Sequence, residues 1–315
     1  MNLSIDRIGV EIPERSMPIM DMAEHLGMTG KEVRMHTWFL GQRNLVISER
    51  ELEDMLVEPA LRALEDADTS QVAYLIYGHT VPHMAPPNRA ILDRVRRRLD
   101  LDNAVALAVS QQNCSTPLYC LRIAEVLLNA QPDGAQAVIL AGERAFPDRA
   151  RIIRGTTVMG EATASCLVSK QQGGDEVLSV THRIVGRFFE ANEVSAQLQA
   201  EYDALYPEVL GATIDEAVRE AGLHPECISK ILPHNVNTYS WRSVMRHSAV
   251  DATVVYTKNI PRFGHCFGAD PFINLHDAKR DGSVRPGEYV VLTSAGLGAT
   301  FVASVVKVGS CDVVC

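Results

Sequence analysis

Short apolar runs of strand length alternate with runs of helical period along most of this chain. In the strand-like runs nearly every residue is apolar, whereas in the helical runs apolar residues recur every three or four positions. For the first half the pattern predicts, in order, helix 48–68, strand 72–78, helix 89–100, strand 104–110, helix 116–130, strand 136–142 and strand 163–169. Alternation of this kind predicts an α/β fold.

A similar order of elements recurs after a polar, glycine-containing stretch at residues 170–175. There the pattern predicts helix 211–223, strand 229–234, helix 238–247, strand 252–258, helix 273–282, strand 288–296 and strand 299–308. We therefore predict two similar α/β domains, residues 1–172 and residues 173–315. Periodicity alone leaves a true duplication open, because any α/β protein repeats strand and helix.

The charge balance argues against a nucleic-acid-binding protein. The 315 residues include 30 Lys and Arg against 39 Asp and Glu, a formal net charge of −9, whereas coating nucleic acid needs a basic face. Asp6 and Arg7 stand where a signal peptide would need an apolar stretch, and no window reaches about 18 consecutive apolar residues. We expect a cytoplasmic protein without a membrane partner. Seven cysteines without a CxxC pair predict reduced thiols.

Cys114 stands where a predicted strand ends and a predicted apolar helix begins, in the segment SQQNCSTPLYC. Pro117 suits the first turn of that helix. A thiol at a helix amino terminus feels the partial positive charge of the helix, which favours the nucleophilic thiolate. Free N–H groups there, including that of Cys114, can stabilise an oxyanion. On local sequence alone, the alternative of a small buried apolar side chain is favoured.

His234 in LPHNVN and His265 in FGHCFGAD each lie in a short loop near a predicted strand or helix end. Imidazole can donate a hydrogen bond to a thioester carbonyl or accept a proton near neutral pH, which suits chemistry at a cysteine. The alternative is that each is an ordinary member of a set of ten histidines. No metal site is predicted, because His265 and Cys266 are adjacent and the second half has no HxxxH or CxxC spacing.

Four arginines cluster in the predicted helix segment DRVRRRLD: Arg94, Arg96, Arg97 and Arg98. A basic patch on an acidic protein could dock an acidic carrier protein. A solvated helix face is the favoured interpretation.

The order of these motifs resembles that of the β-ketoacyl-acyl-carrier-protein synthase III branch of the thiolase superfamily. That family has a nucleophilic Cys at the start of a buried helix, then a PHQAN-like segment, a GN segment and a GGG-containing pair of carboxy-terminal strands. The corresponding positions here are Cys114, PHNVN at 233–237, Gly264-His265 and SAGLG at 294–298. The resemblance spans nearly the whole chain, with further similarity at residues 40–47, 159–168 and 280–308.

The resemblance implies a thiolase fold, in which two similar α/β halves stack their central mixed sheets in five layers, αβαβα. It implies that Cys114 carries an acyl group and that His234 and His265 act with it. The acyl donor would be a thioester of acyl carrier protein phosphopantetheine or of coenzyme A, with no cofactor or metal, and the protein would be a homodimer. In the implied reaction the acyl group condenses with a malonyl-type thioester in fatty-acid, polyketide or other specialised biosynthesis.

Two alternatives to condensation stay open. The acyl group on Cys114 can pass to an alcohol, an amine or a thiol without loss of CO₂. The other alternative is a catalytically silent subunit that supports an active homologue, although the presence of both Cys114 and His234 argues against it.

The sequence departs from the family pattern in three respects. His265 replaces an Asn, and its imidazole N–H can hold a thioester oxygen as an amide does. Leu297 replaces the middle glycine whose N–H serves the family's oxyanion hole, so this donor requires a negative φ at Leu297. Met35 and Phe39 fall about where the family uses Trp and Arg to grip coenzyme A, which weakens the case for coenzyme A as donor.

Asn237 and Asp270 complete the set of candidate site residues. Asn237 ends the PHNVN segment and is a candidate for orienting a reacting group. Asp270, five residues after His265, either orients an imidazole or caps the following helix. The helix cap is the favoured interpretation.

Overall fold

The computed structural model describes residues 1–80, 90–145, 148–189 and 195–310. The first half contains β1 Leu3–Glu11, β2 Ser16–Pro18, α1 Gly30–Arg34, β3 Asn44–Val46, α2 Leu52–Ala63, β4 Val72–Gly78, α3 Ile91–Arg98, β5 Val105–Val109, α4 Thr116–Asn129, β6 Gln136–Ala141, β7 Ile152–Ile153, β8 Thr157–Val158 and β9 Thr163–Ser169. The second half contains β10 Asp175–Ile184, α5 Ala196–Glu220, β11 Ile228–Pro233, α6 Thr238–Val244, α7 Ile260–Phe263, α8 Asp270–Arg280, β12 Tyr289–Gly296 and β13 Thr300–Lys307.

The strands of the two halves follow one rule. The first half contributes β5-β4-β6-β9-β1 to the large sheet and the second half contributes β11-β12-β13-β10. In the first half β4 and β6 are parallel, and the pairs β6-β9 and β9-β1 are antiparallel. In the second half β11 and β12 are parallel, and the pairs β12-β13 and β13-β10 are antiparallel. The two parts join where β1 pairs antiparallel with β10. The division of the chain at residues 172 and 173 stays a prediction.

The prediction of a strand at residues 252–258 is wrong, although this segment lies where the strand was expected, at the edge of the sheet beside β11. Residues Ala252–Val254 form a short 3₁₀ turn, because the Asp251 carboxylate accepts a hydrogen bond from the Thr253 N–H and bends the chain. Val255 then makes a single parallel bridge with Ile231. This bridge lies beside β11, where β5 lies beside β4 in the first half.

Two helices lie between the two parts of the sheet. α4 contacts β4 and β6 of its own half as well as β12 and β13 of the other half. α8 contacts β11 and β12 as well as β1 and β9. α2 covers the outer face of the first part and α5 covers the outer face of the second. The layers therefore run helix, sheet, helix, sheet, helix, and the predicted thiolase fold is confirmed.

The central helices bury residues on most of their faces, as their position between two sheets requires. α4 buries eight residues, among them Leu118, Cys120 and Leu121. α8 likewise buries eight, among them Phe272 and Ile273. These side chains belong to one core cluster that also contains residues of β1, β6 and β12. Burial of this set holds the two halves together.

α5 is much longer than the helix predicted at 211–223. It begins at Ala196, where the Ser195 side chain caps it by accepting a hydrogen bond from the Leu198 N–H at 3.2 Å. Pro207 lies inside the helix without ending it. The carbonyl that loses its partner is four residues earlier, at the exposed Asp203, where water can replace the missing bond.

The arginine cluster lies on α3 in a network of exposed ion pairs. Arg97 pairs with Asp93 at 2.6 Å and Arg98 with Asp54 at 2.7 Å. The favoured interpretation, a solvated helix face, is confirmed. None of the helices in the described parts of the chain is both long and apolar enough to cross a membrane.

Candidate active site

Cys114 lies in a short 3₁₀ turn, Asn113–Ser115, that leads directly into α4. The approach is strained, because Gln111 and Asn113 have φ of 82° and 49°. Side-chain bonds hold the turn against the second half: Asn113 Nδ2 donates to the Leu297 carbonyl at 2.5 Å, and Ser294 Oγ donates to the Cys114 carbonyl at 2.9 Å. The Cys114 side chain is thereby fixed at the start of a buried helix, as predicted.

His265 reaches Cys114 from the loop before α8. Its Nε2 lies 3.3 Å from the Cys114 Sγ. The His265 backbone is held on both sides, since its N–H donates to the Val158 carbonyl and its carbonyl accepts from the Gly160 N–H, each at 2.9 Å. Gly264, with φ of 73°, makes the turn that ends α7 just before His265. The imidazole therefore sits in one fixed place beside the thiol.

Asp270 holds the other side of the His265 ring. Its Oδ2 lies 2.5 Å from His265 Nδ1 and accepts from the Asn235 N–H at 2.6 Å. Its Oδ1 accepts from the Cys266 N–H at 2.9 Å and from Asn235 Nδ2 at 3.1 Å. The favoured interpretation of Asp270 as a helix cap is wrong: Asp270 is the first residue of α8, and the cap position is Ala269, with no side-chain cap bond.

Cys114, His265 and Asp270 thus form a buried row of thiol, imidazole and carboxylate. Burial lowers the pKa of His265, but the neighbouring Cys114 and Asp270 outweigh it and raise that pKa to about 10. His265 is therefore protonated at neutral pH in the resting protein. An imidazolium next to a thiol favours the thiolate, and the adjacent carboxylate fixes the proton of the ring on Nδ1.

His234 has a different environment. Its Nε2 lies 2.9 Å from the Tyr206 hydroxyl, and its carbonyl accepts from Trp241 Nε1 at 2.9 Å. Burial and the neighbouring His265 hold the pKa of His234 well below its usual value, so this imidazole is neutral. The ring centroids of His234 and His265 are 5.8 Å apart.

One cavity of about 660 Å³ is lined by Cys114, His234 and His265 together. These three residues are distant in the chain, and the fold brings them together in one cavity, as the sequence analysis expects. The remaining walls come from α5, α6, the β12–β13 turn and the segment before β8, and include Tyr202, Tyr206, Asn237, Tyr239, Thr156 and Leu297.

Asn237 and Leu297 also line this cavity. Both ends of the Asn237 side chain are engaged: Oδ1 accepts from the Ser240 N–H at 2.6 Å, which caps α6, and Nδ2 donates to the Thr156 carbonyl at 2.9 Å. At the β12–β13 turn the positive φ angles belong to Gly298 and Ala299, and Leu297 keeps a negative φ. Leu297 therefore has the negative φ that a backbone donor at this position requires. Its role in an oxyanion hole stays a prediction.

Sequence reasoning missed Tyr206 and Thr80. Thr80 Oγ1 lies 3.8 Å from Cys114 Sγ, just after β4 ends. Tyr206 lies in the part of α5 for which no helix was predicted. Neither residue stands in a motif, so only their position in the fold brings them to the site. The described residues contain no group of three or more His, Cys, Asp or Glu arranged to hold a metal ion.

The chain has the thiolase fold, with a buried cysteine at the start of a central helix and an imidazole contributed by the opposite half. Residues 218–308 match the family model described as the 3-oxoacyl-[acyl-carrier-protein (ACP)] synthase III C terminal. The chain is 25% identical over 326 residues to the β-ketoacyl-[acyl-carrier-protein] synthase III of Nitratidesulfovibrio vulgaris (strain DP4), covering 95% of this chain and 97% of that protein.

Solved structures of similar fold include ChlB3, named as an acyltransferase, with a TM-score of 0.85 at 17% identity over 98% of both chains. The 3-oxoacyl-[acyl-carrier-protein] synthase III of Aquifex aeolicus VF5 has a TM-score of 0.78 at 17% identity, covering 97% of this chain and 99% of that one. The protein is therefore similar to β-ketoacyl-acyl-carrier-protein synthase III proteins, in sequence over nearly its whole length and in fold.

Proposed function

We propose that this protein is a thioester-dependent acyltransferase that carries an acyl group on Cys114 and passes it to a hydroxyl, amine or thiol acceptor. The observation that carries the proposal is the row of Cys114, His265 and Asp270, with 3.3 Å from Nε2 to the sulfur and 2.5 Å from Nδ1 to the carboxylate. A carboxylate-backed imidazole beside a nucleophile is the arrangement that moves protons in acyl transfer. The structural similarity to ChlB3, which is named as an acyltransferase, also supports this reaction class.

In the first step the Cys114 thiolate attacks the carbonyl carbon of the donor thioester. The carbonyl oxygen becomes an oxyanion, for which the N–H groups of Cys114 and Leu297 are the nearest candidates by position. When the carbon–sulfur bond of the donor breaks, the leaving thiolate takes the proton of the His265 imidazolium. The products are acyl-Cys114, a free donor thiol and a neutral His265.

In the second step the neutral His265 acts as the base. Asp270 keeps the ring proton on Nδ1, so Nε2 presents a lone pair to the acceptor. Nε2 takes the acceptor's proton, the acceptor attacks the acyl carbon, and the bond to Cys114 Sγ breaks. The starting protonation of Cys114 and His265 is restored, and no CO₂ is released.

Decarboxylative condensation is the second candidate. The curated relatives are named β-ketoacyl synthases, and His234 beside His265 supplies the two groups that could hold an enolate oxygen. The relatives' names also support acyl carrier protein as the donor's carrier. The choice between carrier protein and coenzyme A, the homodimer and the cytoplasmic location stay predictions from the resemblance.

Intact-mass spectrometry tests the covalent step. Wild-type protein mixed with acyl-coenzyme A or acyl carrier protein of several chain lengths should gain the mass of one acyl group, and Cys114→Ala should gain none. Cys120→Ala is the matched control, because Cys120 lies in α4 close to Cys114 and is buried, and burial raises its pKa to about 12. An acyl-free wild type with every donor would contradict the proposal and favour the silent subunit.

A second measurement separates the two candidate reactions. Acyl-enzyme prepared in this way is divided between N-acetylcysteamine, a thiol acceptor, and malonyl-coenzyme A. We expect release of the acyl thioester with the first and little CO₂ with the second. Fast CO₂ release with a β-ketoacyl product would instead establish condensation.

A further inference from the structure

The Tyr206 hydroxyl occupies one ring nitrogen of His234, a residue that lines the cavity. The oxygen of Tyr206 lies 2.9 Å from His234 Nε2, and both residues line the cavity that also holds Cys114. His234 Nδ1, the other ring nitrogen, is buried and has no side-chain hydrogen-bond partner among the described residues, while a backbone hydrogen bond with Thr293 acts on the ring. Within the described parts of the chain, Tyr206 is therefore the one side chain that hydrogen-bonds the His234 ring.

This contact removes Nε2 as a donor. The backbone hydrogen bond with Thr293 favours the proton on Nδ1, so Nε2 accepts the O–H of Tyr206 and the phenol has no second proton to offer the cavity. Burial raises the pKa of the Tyr206 phenol and lowers that of His234, so neither group ionises near neutral pH and the bond stays between two neutral groups. A carbonyl oxygen in the cavity finds no free N–H on His234 Nε2.

In the acyl-enzyme, His265 likewise has no N–H on Nε2 to donate. After the first step His265 is neutral, and Asp270 holds its proton on Nδ1, so His265 Nε2 is an acceptor. An enolate formed from a malonyl thioester places negative charge on the thioester oxygen and needs a donor to stabilise it. With both Nε2 atoms unable to donate, the site favours a nucleophile that brings its own proton.

The fold keeps Tyr206 in this position. It lies on α5 immediately before Pro207, and its ring packs against Phe301 of β13 and Tyr202 one turn earlier, with centroids 5.8 and 6.0 Å away. Rings held on two sides have little freedom to turn away from His234. The contact is a fixed part of the wall.

We propose that Tyr206 is a positioning residue that acts through His234 to direct acyl-Cys114 to a proton-bearing acceptor and away from a decarboxylating thioester. The inference rests on the proposed acyl transfer at Cys114. In the reaction that Tyr206 permits, an acceptor S–H or O–H gives its proton to His265 and its electron pair to the acyl carbon, and the bond to Cys114 breaks. In the reaction that it disfavours, the bond between the malonyl methylene and its carboxylate breaks, CO₂ leaves, and the enolate carbon attacks the acyl carbon.

The test compares the two fates of a preformed acyl-enzyme in wild type and Tyr206→Phe. Far-UV circular dichroism and formation of the acyl-Cys114 adduct show that the variant folds, and thiolysis of acyl-Cys114 by N-acetylcysteamine gives the rate against which CO₂ release is compared. CO₂ release from malonyl-coenzyme A, normalised to thiolysis, should rise at least tenfold, because removal of the hydroxyl frees His234 Nε2. A purely structural role of Tyr206 would change both fates together.

An unchanged ratio of CO₂ release to thiolysis in Tyr206→Phe overturns the inference, as does rapid CO₂ release by the wild type. Failure of the proposed function looks different, because the wild type would then form no acyl-Cys114 at all. Tyr119→Phe is the control: Tyr119 also packs against a histidine, His182, with centroids 4.6 Å apart, but away from the cavity. It should keep the wild-type ratio.

Discussion

Among single residues, Asp270 distinguishes this site from one that merely contains a cysteine and two histidines. His265 and His234 are both buried, yet the pKa of one is raised and that of the other lowered. The difference arises because Cys114 and Asp270 outweigh the effect of burial at His265, whereas burial and the neighbouring His265 both lower the pKa of His234. One imidazole can therefore exchange protons with substrates near neutral pH while the other stays neutral.

We predict that Asp270→Asn slows acylation of Cys114 by about a hundredfold or more, because the amide can leave the His265 proton on the wrong nitrogen. The rate of acyl-adduct formation by mass spectrometry measures this. Asp281→Asn, in the turn after the other end of α8, removes an exposed ion pair with Lys258 and should leave the rate unchanged. Equal rates in wild type and Asp270→Asn would remove His265 and Asp270 from the mechanism.

The same variant should flatten the pH dependence of stability. The pKa of His265 is about 10 in the folded protein, above the ordinary value near 6.5 for an unfolded chain. A raised pKa contributes stability that is complete below the unfolded value and is lost as pH rises toward 10. The free energy of unfolding of the wild type should therefore fall over this range more steeply than that of Asp270→Asn, as urea titrations at several pH values would show.

Among the secondary-structure elements, the site depends on two helix starts that meet closely. α4 begins just after Cys114 and α8 begins just after the turn that follows His265. Gly268 lies between them, where a Cβ would overlap the Pro117 ring and stand 2.9 Å from the Cys114 carbonyl oxygen. The absence of a side chain at this position allows the contact.

We predict that Gly268→Ala lowers the free energy of unfolding by about 1–3 kcal/mol and slows acylation, because either α4 or the 3₁₀ turn before α8 must shift. Urea denaturation and the adduct rate measure the two effects. Gly186→Ala is the control, since a Cβ there meets nothing within 4 Å. Wild-type stability in Gly268→Ala would show that the helix starts can separate without cost.

Across the whole molecule, the two halves share a sheet and a central layer. β1 pairs with both β9 and β10, and α4 and α8 each contact strands of both halves. Cys114 comes from one half and His265 from the other, so the site exists only when the halves are joined.

We predict that the halves unfold in one transition. The chain has two tryptophans, and Trp38 is 86% exposed whereas Trp241 of the second half is buried. In Trp38→Phe the fluorescence of Trp241 reports the second half, while far-UV circular dichroism reports both. The two urea curves should coincide. A fluorescence transition separate from the circular dichroism transition would show that the halves fold independently.

Local sequence pattern was enough to predict most strands of the large sheet and the central helices, whereas Cys114, His234 and His265 were singled out only by the order of motifs that resembles a known family. Strands and helices can be predicted locally because the spacing of apolar residues indicates which side chains are buried, and a motif fixes residue types at a given spacing. β1 and β10 were not predicted, and neither was the first part of α5, because polar residues and Pro207 interrupt their patterns.

The partner of each imidazole, in contrast, depends on the packed fold. Asp270 is equally compatible with a helix cap and with an orienting carboxylate until the loop around His265 is placed. Tyr206 carries no motif, and its contact with His234 arises because α5 packs on β12 and β13, beside the residue that follows β11. Hydrogen bonds between residues distant in the chain depend on distances of a few tenths of an ångström, which packing of the whole fold sets and no local pattern encodes.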